Sequence, residues 1–153
     1  MITLEIPGRE TIALEFLLVD VNGTLSDRGE LIDGVEERLD ELRTQLRVEL
    51  LSADTFATLE SISTRLSVPA RIAATAEDKL AVLEELGAHR CVAVGNGSND
   101  ARILADAAVG IAVIGPEGVS SRALLACGVA CRSIGEALDL LREPQMLAAT
   151  LRP

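Results

Sequence analysis

The stretch that most constrains this chain is the apolar run Phe16 to Val19, which ends in Asp20. A short, continuous apolar run of this kind predicts a buried β-strand, and here it carries a carboxylate to the strand's carboxyl end. Asn22-Gly23-Thr24 follows, and these turn-forming residues predict a sharp bend. In an open α/β sheet, ligands bind in the crevice beyond the carboxyl ends of the strands. Asp20 is therefore either a nucleophile at a binding site or a residue that caps a turn.

Strand-like and helix-like segments alternate along the rest of the chain. Residues 1–15 alternate apolar and polar side chains around a turn, which predicts a β-hairpin whose second strand runs on into the Asp20 strand. The later predicted strands are Val48–Leu51, Ala70–Ala74, Arg90–Val94, Val109–Ile114 and Val129–Arg132. The predicted helices are Val35–Leu46, Thr55–Leu66, Glu77–Leu86, a segment that ends near Ala107, Gly118–Cys127 and Ser133–Leu141. This order implies βαβ units, so we predict an α/β fold with a mainly parallel sheet.

The connecting segments are short. Residues 25–34 are rich in turn formers and predict a small flap, and Pro144 is expected to end the last helix and leave a tail at 144–153. Asp54 or Thr55 is predicted to cap one helix, and Glu117 to be a charge at the start of another. The length of 153 residues predicts a single domain over residues 1–153, without a large cap domain.

Composition and charge limit the classes of partner. The formal net charge of -10 and the pI near 4.5 argue against binding to nucleic acid or to anionic membrane surfaces. No apolar run reaches the ~18 residues that a membrane span needs, and we expect no secretory signal at the N-terminus. Three cysteines, an odd number, fit a reducing compartment, so we predict a cytoplasmic protein.

Polar residues gather at the predicted carboxyl ends of the strands, where each has a possible role in phosphoryl transfer. Asp20 can attack phosphorus, and the hydroxyls of Thr24 and Ser52, with N–H groups of the Gly23 turn, can hold phosphate oxygens. Lys79, the single lysine among 14 basic residues, can neutralise charge where a compact ammonium is needed. The loop over residues 95–100 adds oxygen ligands of the kind that Mg²⁺ prefers.

Taken together, Asp20-Val21-Asn22-Gly23-Thr24, Ser52, Lys79 and the loop Gly95 to Asp100 resemble, in order and spacing, the motifs of the haloacid dehalogenase (HAD) superfamily. The run Gly95 to Ala112 is also similar to the phosphorylation domain of P-type ATPases. The resemblance covers residues 12–142.

This resemblance implies a Rossmann-like core and Mg²⁺-dependent phosphatase chemistry through an aspartyl-phosphate. It implies that Asp20 and Lys79 are catalytic and that phosphate is bound by Gly23, Thr24, Ser52 and Lys79. The implied metal ligands are Asp20, Asn22 (through its carbonyl), Asn96 and Asp100. Asn99 is implied to orient Asp100.

Two positions differ from the family's phosphatase pattern. Phosphatases of the family carry Asp where this chain has Asn22, so the usual general acid is missing; such a loss typically lowers the rate ~10²–10⁴-fold. Asn96 stands where the family has a metal-binding Asp. Three interpretations stay open: a weak or specialised phosphohydrolase for a small phosphorylated substrate, a phosphate- or nucleotide-binding regulatory domain, and an oligomeric partner protein with a relict site. Because the site has no cap domain, we expect it either to accept large or macromolecular substrates or to be closed by a neighbouring subunit, and we predict a homo-oligomer.

Overall fold

A parallel sheet carries the predicted nucleophile at its centre. In the computed structural model, which describes residues 1–53 and 57–153, six of the described strands form this sheet. In spatial order they are β10 (Val129–Cys131), β9 (Val109–Val113), β8 (Cys91–Gly95), β3 (Phe16–Asp20), β6 (Arg47–Ser52) and β7 (Ala70–Ile72). Every neighbouring pair is parallel, and Val19 of β3 lies opposite Leu50 of β6 and Val94 of β8. The prediction of an α/β fold with a mainly parallel sheet is confirmed.

Helices cover both faces of this sheet. They are α1 (Val35–Leu42), α2 (Ala57–Leu66), α3 (Ala76–Leu86), α4 (Ala101–Asp106), α5 (Ser121–Ala126), α6 (Ile134–Arg142) and α7 (Pro144–Thr150). The alternation of side chains along β3 assigns Leu17 and Val19 to one apolar layer, with residues of α1, α2, α6 and α7. Phe16 and Leu18 belong to the other layer, with residues of α3, α4 and α5. Since both faces are buried, the strand is apolar throughout until it reaches Asp20.

Two small hairpins flank the main sheet. β1 (Ile2–Leu4) pairs antiparallel with β2 (Ile12–Leu14), which confirms the N-terminal hairpin. The expectation that its second strand runs on into the Asp20 strand was wrong, because β2 and β3 belong to different sheets. β4 (Ser26–Asp27) pairs with β5 (Glu30–Leu31) inside the predicted flap. This flap is short, so no separate cap domain lies between β3 and α1.

Some predicted boundaries were wrong. Pro144 does not leave a tail; it opens helix α7, because the first position of a helix needs no backbone N–H. Helix α5 begins at Ser121 after the cap Ser120, not at Gly118. The predicted caps Asp54 and Thr55 lie outside the described residues. None of the helices in the described ranges has the length and apolar character that a membrane crossing requires.

Candidate active site

A buried ion cluster stands at the carboxyl end of the central strand. Lys79 of α3 donates from Nζ to Oδ1 of Asp20 at 2.7 Å and to Oδ1 of Asp100 at 2.5 Å. The Lys79 side chain is 0% exposed, and Asp20 itself is only 7% exposed. Sequence positions 20, 79 and 100 thus meet in one cluster, as predicted from the order of the strands.

The start of α3 explains why Lys79 points into this cluster. Thr75 caps the helix: the Asp78 N–H donates to Thr75 Oγ1 at 3.1 Å, and the Thr75 N–H donates to Asp78 Oδ2 at 2.9 Å. Such a capping box fixes where the helix begins, and therefore which side chain of the first turn faces the sheet. That side chain is Lys79, which becomes fully buried.

The charges of the cluster do not cancel, since two carboxylates share one ammonium. Burial, and next the charge of Asp100, raise the pKa of Asp20 to about 6, although Lys79 and a hydrogen bond from Thr24 oppose this. Burial alone lowers the pKa of Lys79, but the two carboxylates and their hydrogen bonds together raise it above its ordinary value. With Asp20 ionised, the cluster therefore carries a net negative charge.

Both side-chain oxygens of Asp100 accept hydrogen bonds from protein groups. It was expected to bind the metal, yet Oδ1 accepts from Lys79, while Oδ2 accepts from the N–H groups of Asn96 at 3.0 Å and Gly97 at 2.8 Å. With both oxygens bonded and the side chain 0% exposed, Asp100 holds Lys79 and the loop in place, and its role as a metal ligand stays a prediction. Asn99 was expected to orient Asp100, but in the described part of the chain its side chain makes no such hydrogen bond; its Oδ1 lies over Gly97 instead.

Three oxygen atoms converge beside this cluster. Thr24 Oγ1 lies 3.3 Å from Asp20 Oδ2 and 3.1 Å from Asn96 Oδ1. The amide of Asn96 is oriented by its Nδ2, which donates to the Gly118 carbonyl at 3.0 Å. One hydroxyl proton cannot serve both acceptors, so an oxygen lone pair is left facing the common point. A hard cation with oxygen ligands fits this donor set, with Asp20 and Asn96 as its side-chain ligands.

The residues predicted to bind phosphate have different hydrogen-bond partners in the structure. The Thr24 side chain is fully buried and its hydroxyl faces Asp20 and Asn96, so it orients these two side chains; its role in phosphate binding stays a prediction. The Gly23 N–H was also expected to bind phosphate, but it donates to the Ser26 carbonyl at 3.0 Å. Ser52 follows the expected placement at the carboxyl end of β6, where its hydroxyl accepts from Asn22 Nδ2 at 3.4 Å. The roles of Ser52 and of the Asn22 carbonyl stay predictions.

One carboxylate at this edge was not predicted as part of the site. Glu117 was expected to mark a helix start, but it lies in a turn that ends before α5 and that Gly118 closes by donating to Gly115 at 2.9 Å. A Cβ on Gly23 would lie 2.5 Å from Glu117 Oε2 and 3.0 Å from Asn96 Nδ2. The signal was available: this turn follows the predicted strand Val109–Ile114, so it emerges at the same sheet edge as Asp20.

Comparisons with known proteins give partial matches in sequence. No protein-family model matches the chain. It is 42% identical over 78 residues to an uncharacterized protein of Methanocaldococcus jannaschii, a match that covers 48% of this chain and 84% of that one. It is also 39% identical over 84 residues to the potassium-transporting ATPase ATP-binding subunit of Mycobacterium bovis, which covers 52% of this chain but 12% of that subunit.

Solved structures resemble the whole chain. A Legionella pneumophila protein assigned to the hydrolases of the HAD superfamily (subfamily III A) superposes with a TM-score of 0.74 at 16% identity, over 90% of this chain and 87% of that one. The 3-deoxy-D-manno-octulosonate 8-phosphate phosphatase of Moraxella catarrhalis, solved with magnesium and phosphate ions, gives 0.70 at 17% identity, over 86% and 87%. At these identities the similarity shows the fold.

Proposed function

We propose that this chain, which has the fold of hydrolases of the haloacid dehalogenase superfamily, is a Mg²⁺-dependent phosphohydrolase of that superfamily that acts through an aspartyl-phosphate on Asp20. The observation that carries the proposal is the ion cluster itself. Asp20 is a carboxylate at the carboxyl end of the central strand, bonded to a fully buried lysine. Burying three ionisable groups together is unfavourable unless a function retains them, and perturbed pKa values cluster at functional sites.

The residues divide the chemistry as follows. Asp20 attacks phosphorus with one carboxylate oxygen, while Lys79 stays bonded to Oδ1 and keeps the nucleophile ionised near neutral pH. Thr24 holds Oδ2 and thereby fixes the direction of the carboxylate. The new bond joins Asp20 to phosphorus, and the bond from phosphorus to the leaving oxygen breaks. Water then cleaves the aspartyl-phosphate, which returns Asp20 and releases phosphate.

Asp20 and Asn96 would hold the metal, with the Asn22 carbonyl as the further ligand that the family resemblance suggests. When bound, Mg²⁺ supplies positive charge that stabilises the oxygens of the transferring phosphoryl group. The crystal structure of the Moraxella catarrhalis phosphatase contains Mg²⁺ and phosphate, which supports this part of the proposal.

The identity of Asn22 favours a second candidate function. Its side chain reaches the site, where Nδ2 donates to Ser52, but an amide cannot protonate a leaving group. A protein with this arrangement would bind phosphate or a nucleotide and turn it over slowly or not at all, as a regulatory protein does. Substrates with good leaving groups, such as acyl phosphates, need no protonation and would still react. Phosphate binding in the absence of turnover would favour this second candidate.

The test compares p-nitrophenyl phosphate and acetyl phosphate, with and without Mg²⁺, for the wild type, Asp20→Asn and Asn22→Asp. Asp106→Asn is the matched control, because it removes a carboxylate from an exposed position at the end of α4. We expect metal-dependent turnover of acetyl phosphate that Asp20→Asn abolishes and Asp106→Asn leaves unchanged. Asn22→Asp should raise turnover of p-nitrophenyl phosphate about 100-fold. Wild-type turnover that survives Asp20→Asn would contradict the proposal. A small phosphorylated substrate, a homo-oligomer and a cytoplasmic location stay predictions.

A further inference from the structure

Glu117 stands against the catalytic turn although it makes no hydrogen bond or salt bridge in the described part of the chain. Its Oε2 lies 2.5 Å from the point where a side chain on Gly23 would begin. That same point is 3.0 Å from Asn96 Nδ2. Gly23 is favoured by its positive φ of 75°, and a Cβ at this position would displace the Glu117 carboxylate.

The turn that carries Glu117 is fixed to the site on both sides. Asn96 Nδ2 donates to the Gly118 carbonyl at 3.0 Å, and the Ser120 N–H donates to the Asn96 carbonyl at 2.8 Å. Gly115, at the start of the turn, lies so close to the Gly23 carbonyl oxygen that a Cβ there would overlap it. These hydrogen bonds fix the backbone of the turn beside Asn96, and the exposed side chain of Glu117 extends from that turn next to Gly23.

From this geometry we infer that Glu117 supplies negative charge toward the bound divalent cation. Asn96 cannot supply this charge, because its side chain is an uncharged amide. The inference rests on the proposed function and deepens it. Asp100 is committed to Lys79 and to the loop, so among the residues that the structure describes Asp20 would otherwise be the single carboxylate toward the cation. A carboxylate beside Gly23 and Asn96 would attract a divalent cation held by Asp20 and Asn96, because the Coulomb interaction with a double charge is strong at short range. In this arrangement the negative charge comes from the turn that carries Glu117 and not from the loop that carries Asn96.

The test measures Mg²⁺ binding by calorimetry, with no substrate present. Glu117→Gln keeps the shape of the side chain and removes its charge; Glu10→Gln is the control, since it removes the same charge from an exposed hairpin turn before β3. We expect Glu117→Gln to weaken Mg²⁺ affinity about tenfold and Glu10→Gln to leave it unchanged. Adding Asn96→Asp to Glu117→Gln should restore the affinity. Unfolding temperatures in EDTA should match for wild type and Glu117→Gln, because Glu117 has no partner to lose.

The outcomes separate the inference from the proposal beneath it. Wild type and Glu117→Gln binding Mg²⁺ equally well would overturn the inference and leave the proposed function standing. A wild type that binds no Mg²⁺ at millimolar concentration would overturn both. A loss in Glu117→Gln that Asn96→Asp does not restore would show that Glu117 acts on the fold of the turn and not through its charge, which also overturns the inference.

Discussion

Asp20 is the residue at which stability and chemistry oppose each other. Its ordinary pKa of 3.8 becomes about 6 in the folded protein, so the folded chain binds this proton more tightly than the unfolded chain does. Protonated Asp20 therefore makes its full contribution to the free energy of unfolding below about pH 3.8. This contribution is lost as the pH rises to about 6. Above that pH the cluster holds two carboxylates against one lysine.

Asp20→Asn should consequently stabilise the metal-free protein at neutral pH. The asparagine imitates the neutral carboxyl, and the difference between a pKa of 3.8 and one of about 6 corresponds to about 3 kcal/mol. Urea unfolding in EDTA should show this gain at pH 7.5 and almost none near pH 4. Asp106→Asn, on the surface, should show no such pH dependence. A variant that is less stable than the wild type at pH 7.5 would mean that the Lys79 bond outweighs the burial of the extra charge.

Lys79→Arg should fail although it keeps the charge. Nζ fits between two carboxylate oxygens 2.7 and 2.5 Å away in a fully enclosed space, and a guanidinium is larger and planar. We expect a stability loss of about 3 kcal/mol, typical of overpacking and disturbed buried pairs, and loss of any Mg²⁺-dependent turnover. Arg65→Lys is the control that exchanges the same two residue types in the opposite direction on the surface, where Arg65 pairs with Glu36. This variant should change the free energy of unfolding by less than about 0.5 kcal/mol.

At the scale of elements, the contact between α4 and β9 depends on one missing side chain. Gly110 in β9 lies against the Leu104 carbonyl of α4, and a Cβ there would overlap that oxygen and the backbone behind it. Since α4 follows directly on the loop that holds Asn96 and Asp100, moving it would disturb the site as well as the core.

Gly110→Ala should therefore destabilise the protein by about 3 kcal/mol. Gly8→Ala separates this close contact from backbone strain: Gly8 has a φ of +81° but nothing within 4 Å of its Cβ position, so it should lose only about 1 kcal/mol. Urea unfolding of both variants measures the two effects. Equal losses would show that α4 can shift away from β9 without strain.

At the scale of the molecule, the net charge of -10 sets the response to salt. Like charges repel across the folded surface, and salt screens interactions beyond about 10 Å at 0.1 M. The unfolding temperature at pH 7.5 should rise by roughly 3–5 °C between 20 and 300 mM KCl, a range in which screening becomes substantial. Near pH 4.5, close to the pI, the same salt increase should have almost no effect. A salt effect of equal size at both pH values would point to a cause other than self-repulsion.

The sequence alone determined the sheet and the positions that meet at its edge. The order of apolar runs and helical segments predicts parallel strands, and parallel strands deliver their carboxyl ends to one side. For that reason Asp20, Ser52, Lys79 and the loop from Gly95 could be placed together without coordinates. The hairpin and the central, fully buried strand follow from local patterns of the same kind.

Only the tertiary structure decided how each polar atom is used. Thr24, Asp100 and Gly23 have partners in the Asn96 loop, on helix α3 or later in the same turn, and sequence spacing does not reveal which of their polar atoms these partners occupy. Glu117 shows the limit most clearly: the strand order places its turn at this edge of the sheet, but hydrogen bonds to Asn96 bring that turn against Gly23. Local sequence propensity determines the helices and strands, but the hydrogen-bond partners available in the folded chain determine the role of each polar side chain.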